Sequence, residues 1–143
     1  MDAVATAIQG LSLTNLPSDE VRVRRWPWKE TDSGATSQRG ITVHPLPEVE
    51  YRGTNERDDI GYGIGITMIV GSDHAAYEQI DGIPAWRESI RRNLHRTRLG
   101  LSVTGCNELE LLVSHGQLNV PKELFKYEIS TLVLRYVMRE SRL

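Results

Sequence analysis

The stretch Ile60–Val70 narrows most sharply what this chain can fold into. Ile60, Tyr62, Ile64, Ile66, Met68 and Val70 alternate with Gly61, Gly63, Gly65, Thr67 and Ile69. A strict period of two over eleven residues does not suit a helix and predicts a long strand with one apolar face. The opposite face is nearly bare in its first half. Glycine weakens a strand, and it is kept where a backbone or ligand comes close or where a sheet bends. The chain is therefore committed to a sheet, with one face for a core and the other for a close approach.

Elements on either side follow from spacing. Val4, Ala7, Ile8 and Leu11 fall at helical intervals, which predicts a short helix over 1–9 with Gly10 as its stop. Thr14–Asp19 reads as a turn and Val21–Trp26 as a strand. Pro27–Gly40 holds no residue suited to a core and reads as a projecting loop. Ile41–His44 is a short strand closed by Pro45 and Pro47. Glu48–Asp59 reads as a polar connection, with five acids against two arginines. Asp73–Asp81 is a short helix or turn. The main helix is expected over Pro84–Arg98, since proline suits a first turn. Its apolar stripe is Ile83, Trp86, Ile90 and Leu94, with Arg87, Arg91, Arg92, His95 and Arg98 largely off it. Leu109–Ser114 and Tyr127–Arg139 close the chain as strands. The order predicts an α+β fold over 1–143 as a single domain: a largely antiparallel sheet with a short N-terminal helix and one main amphipathic helix packed on it.

Composition excludes several function classes. The 143 residues carry 17 Lys and Arg against 19 Asp and Glu, a net charge of −2. A protein whose main task is coating nucleic acid needs a strong positive surplus. Cys106 is the single cysteine, so no intramolecular disulfide is expected. The N-terminus has no basic region ahead of an apolar run, and no apolar stretch approaches roughly 18 residues. The expectation is a soluble protein of a reducing compartment, with no membrane partner.

No reactive motif stands out. The Gly61-Gly63-Gly65 series lies inside a strand and lacks the third glycine of a phosphate-binding turn. His44, His74, His95 and His115 have no metal-ligand spacing, and one cysteine cannot complete a zinc set. Cys106 lacks a recognisable base partner in sequence. No catalytic residue, metal or cofactor is assigned. Two basic clusters remain: Arg22, Arg24 and Arg25 beside Trp26 and Trp28, and Arg87, Arg91, Arg92, Arg96 and Arg98 on the main helix. Basic residues among aromatics can bind single strands. Near-zero net charge with separated blocks of opposite sign favours pairing with the acids of 48–59 and 73–81, within the chain or across a subunit contact. There are 14 arginines and only 3 lysines, which suits Arg–carboxylate forks at subunit contacts.

The element order from the N-terminal helix through Val21-Arg22-Val23-Arg24-Arg25-Trp26, His44-Pro45, the Ile60 strand, the Pro84 helix and the Tyr127–Arg139 strand resembles the tail-terminator and tail-completion (neck) proteins of tailed bacteriophages. The resemblance implies a structural virion protein, assembled in the host cytoplasm, with no catalytic residues. It implies a ring of identical copies, a hexamer, that ends the tail tube and joins the tail to the head connector. Genome DNA would pass through the lumen without sequence recognition. Partners would be the chain itself, the tail tube protein and head-connector proteins. Candidate contact residues are Arg22, Arg24, Arg25, Trp26, Trp28, Arg39, Gly61, Gly63, Gly65, Arg91 and Arg92, with 27–40 as a contact arm. The alternatives are a small nucleic-acid-binding module using helix 87–98 with Trp26 and Trp28, a stopper-type neck protein, or an enzyme assembled from distant residues such as Cys106 and a histidine.

Overall fold

Alternation along one strand needs partners in register to become a core face, and the tertiary structure supplies them. The computed structural model describes residues 1–25, 39–47, 49–51, 57–71, 83–95, 97, 99, 109–114 and 127–141. Among these, α1 spans Asp2–Gly10 and a 3-10 turn spans Ser18–Glu20. The first strands are β1 (Val21–Val23), β2 (Arg39–Pro45), β3 (Val49–Tyr51) and β4 (Arg57–Gly71). Then come α2 (Ile83–Leu94), β5 (Leu109–Ser114) and β6 (Tyr127–Ser141). The six strands form one sheet in the order β1-β2-β4-β6-β5, with β3 also on β4. Only β1–β2 is parallel; the other pairs are antiparallel. The expected α+β class with a mostly antiparallel sheet and two packed helices is what forms.

Register turns the alternation into a core. Ile41 faces Met68, Val43 faces Ile66, and Ile66 faces Leu132, so the apolar positions of three strands share one side. Val4, Ala5 and Ile8 of α1 and Ile83, Trp86, Ile90 and Leu94 of α2 cover that side. Each large aliphatic side chain removed from water there contributes about 1.5–3 kcal/mol. The predicted stripe of the main helix is therefore its buried face.

Several boundaries differ from the sequence expectation. The β1 strand stops at Val23. The β2 strand begins at Arg39, so 39–40 belong to the sheet and not to a projecting loop; 26–38 lie outside the described residues, as do 72–82. The polar connection 48–59 contains β3 and the first residues of β4. Charged side chains hid strand character there, because cross-strand pairing depends on backbone groups that every residue carries. Helix α1 does end at Gly10, with Leu11 as its C-cap, and the left-handed φ of 48° that redirects the chain falls at Ser12. Helix α2 ends at Leu94, short of Arg98. The Thr97 amide and hydroxyl both donate to the Leu94 carbonyl, at 3.3 and 3.0 Å, and close the last turn.

The outer edge of β1 is partly blunted. Gln9 of α1 donates Nε2–H to the Val21 carbonyl at 3.2 Å. A side-chain donor on an edge carbonyl removes a pairing point that another strand could use.

Candidate functional site

The glycine face of β4 is occupied by the chain's own side chains. His44 pairs with Gly65 across β2–β4. A side chain on Gly65 would overlap Cε1 of His44 and lie 2.5 Å from its Nε2. A side chain on Gly63 would come within 2.8 Å of Leu46 Cβ. The close approach predicted for Gly63 and Gly65 is thus internal, made by β2 and the residues just after it. Gly61 is buried, and its register partner on one side is Val49 of β3.

That seating places a polar line across three strands. His44 is 3% exposed. Its Nε2 lies 3.0 Å from Thr67 Oγ1, and its Nδ1 lies 3.3 Å from the Pro45 carbonyl oxygen. Thr67 Oγ1 lies 3.2 Å from Thr131 Oγ1. A carbonyl only accepts, so Nδ1 carries the ring hydrogen and Nε2 accepts from Thr67; this tautomer follows from the network. Burial pushes the His44 pKa down, and the bond to Pro45 pushes weakly the other way. A histidine beside a hydroxyl is the hydrogen-bonded unit that activates nucleophiles. Here Thr67 and His44 are both buried within the sheet.

Arg87 corrects the reading of the helix. It was expected off the apolar stripe with the basic face, yet it is 7% exposed. Its Nη1 donates to Ser130 Oγ at 2.6 Å and to the Thr131 carbonyl at 3.0 Å. Both acceptors sit on β6 just past the end of β5, whose last pair is Ser114 with Val133. Burial lowers the Arg87 pKa from its usual high value, and the guanidinium stays charged. Helical spacing leaves Arg87 beside Trp86, on the border of the stripe. Only the position of Ser130 and Thr131 turns it inward.

Arg91 and Arg92 share one acid. Arg91 donates Nε–H and Nη2–H to Glu88 at 2.8 Å each, and Arg92 donates Nε–H at 2.6 Å. The hydrogen bonds from Arg91 and then Arg92 hold the Glu88 pKa down at about 2. A depressed carboxyl contributes stability above its unfolded value of 4.5, and that contribution is lost as pH falls from there through about 2. Glu88→Gln is expected to flatten the acid limb of a thermal-melt series between those pH values. It should lower the melting temperature at pH 7 by the same small amount that the wild type loses on that limb, because exposed pairs contribute little.

The other candidates are spread over the molecule. Arg22 is exposed on β1 and donates to the Asp19 carbonyl at 3.2 Å and to Glu20 at 3.3 Å. Arg24 and Arg25 follow β1, and both have partners within the chain. Arg39 opens β2 opposite Val70 and is half-buried. Trp26, Trp28, Arg96, Arg98 and Cys106 lie outside the described residues. Helix α2 lies over β4, β5 and β6, whereas Arg22–Arg25 belong to the β1 edge. The two basic clusters are therefore on separate elements, with each described arginine of α2 already bonded. Among the described residues no group of three His, Cys, Asp or Glu is placed to hold a metal ion, and no helix is long and apolar enough to cross a membrane.

The sequence reading missed the His44–Thr67–Thr131 line. Its one signal was threonine breaking the glycine series at 67, a position no sequence rule links to 44 or 131. No protein-family model matches the chain, and no curated protein matches it significantly.

Proposed function

We propose that this chain is a structural subunit of a tailed-phage neck, a tail-terminator-type protein that acts by forming a ring and joining tail to head connector. The observation that carries the reading is the β4–β6 ladder. It is paired over all fifteen residues, from Arg57–Ser141 to Gly71–Tyr127. At 3.4 Å per residue it reaches roughly 48 Å, against a diameter of roughly 37 Å for a sphere of this chain length. Its far end places Arg57 and Asp58 against Ser141 and Glu140, beyond the stretches paired to β2, β3 and β5. A two-stranded end rich in both charges suits contact with a different patch on the next copy, as a head-to-tail ring needs. A neck ring would also present a lumen to passing DNA.

The test combines native mass spectrometry and electron microscopy of the purified chain with proteomics of phage particles released by its source host. Closed rings, or the chain at the head–tail junction, support the reading. A monomer at every concentration that is also absent from particles overturns it. The nucleic-acid module is weakened by the bonds of Arg87, Arg91 and Arg92. A salt titration of DNA binding separates the two, since a module relying on phosphate contacts loses affinity steeply with salt.

A further inference from the structure

The polar line on one face of the sheet and the Arg87 seat on the other meet at one residue. Thr131 offers its hydroxyl to Thr67 and its carbonyl to Arg87. Side chains on a strand alternate between faces, so Thr131 Oγ1 lies on the His44 side while Ser130 Oγ lies on the helix side. The chain His44–Thr67–Thr131–Arg87 runs from β2, through β4 and β6, to α2.

We propose that these four residues form a proton-sensitive latch, in which the charge state of His44 sets how firmly α2 is seated on the sheet. The inference does not depend on the ring reading. With neutral His44, every hydroxyl hydrogen points toward the ring: Thr131 donates to Thr67, and Thr67 donates to Nε2. A proton taken from solvent onto Nε2 makes that nitrogen a donor. Thr67 must then accept from the ring and turn its own hydrogen to Thr131. Thr131 in turn must aim its hydrogen away from Thr67. No covalent bond changes; one proton is gained and two hydroxyls reverse. The ring sits directly over the bare backbone of Gly65, where an added Cβ would meet three of its atoms. The reversal ends at Thr131 of β6, whose carbonyl accepts from Arg87 of α2.

The surroundings fix the direction. Facing His44 on β4 are Gly63, Gly65, Thr67 and Ile69, and on β6 Thr131 and Val133, none titratable. By register the charged residues on that face, among the described residues, are Arg22 of β1, opposite Thr42, and Arg135 of β6, opposite Gly63, with Arg57, Asp59, Glu110 and Arg139 toward the far end of the sheet. Burial lowers the His44 pKa below 6.5, so the opened form binds the proton more readily than the latched one. The latch is therefore fully set above pH 6.5 and weakens as pH falls from there toward the folded value.

The experiment is amide hydrogen exchange, corrected for intrinsic rates, on the full chain at pH 7.5 and 5.5. In the wild type, protection of the α2 amides should fall severalfold on acidification, up to about tenfold per pH unit below the ordinary histidine value for one linked proton. His44→Gln keeps a hydrogen-bonding side chain that does not titrate, and its α2 protection should be the same at both pH values. Thr131→Val removes the hydroxyl link; β2 amides should still lose protection with acid while α2 does not. An unchanged α2 response in either variant overturns the latch. Should a variant fail to fold, the wild type decides by NMR: the His44 ring and the α2 signals must titrate with one midpoint, and separate midpoints overturn the proposal.

Discussion

Gly65→Ala is expected to lower the unfolding free energy by about 3 kcal/mol or more. The added Cβ would overlap the His44 ring and lie 2.9 Å from its Nδ1, with Nε2 closer still. All three contacts are to one imidazole, which is short, buried and bonded at both nitrogens. Overpacking of this kind costs about 1–3 kcal/mol. Pushing the ring aside also breaks its bond to Thr67 and leaves buried polar groups unsatisfied, at about 1–3 kcal/mol more. Urea denaturation at pH 7.5 measures the loss. His44→Ala in the Gly65→Ala background should recover part of it, since the two residues touch and their effects do not add. Gly10→Ala is the control: nothing lies within 4 Å of its added methyl. If Gly65→Ala is as harmless as Gly10→Ala, the imidazole does not sit over Gly65.

Trp86→Ala is expected to cost about 3–5 kcal/mol, the range for emptying a large aromatic site in a core. Trp86 is 2% exposed and is the largest of the fully buried side chains. Its Nε1–H donates to the Thr14 carbonyl at 3.1 Å, tying α2 to the turn that follows α1. Trp86→Phe keeps most of the apolar contact and loses that bond, so a smaller loss of about 1–2 kcal/mol is expected. The same denaturation series ranks the three proteins. A loss below about 1 kcal/mol for Trp86→Ala would mean that α2 is not seated on the core as described.

These sites show how far the sequence could be read. Period-two alternation located β4 because Ile64, Ile66, Met68 and Val70 must share a face whatever they pair with. The stripe Ile83, Trp86, Ile90 and Leu94 located the buried side of α2 for the same reason at helical period. Charge misled at two places. Glu50, Asp58 and Asp59 suggested a loop, yet a ladder is made by backbone groups and tolerates charged side chains. Arg87 suggested a solvated face, yet its long side chain reaches acceptors that β6 happens to leave open.

The glycine series carries the sharper lesson. From sequence, Gly61, Gly63 and Gly65 state that something must come close, because a missing Cβ is space that a neighbour can use. They do not state what comes. The identity of the occupant, His44 at Gly65 and Leu46 at Gly63, is set by the β2–β4 register, and register is a relation between distant segments.

What the chain's order of residues determined alone is local: which segments are strands or helices, and which side of each is apolar. Both follow from periods that a single segment carries within itself. Tertiary structure decided which polar groups meet. The Thr67–Thr131 bond joins residues 64 positions apart and the Arg87–Ser130 bond joins residues 43 apart. Separations that long leave no periodic trace, because only the folded sheet brings those atoms within hydrogen-bonding distance.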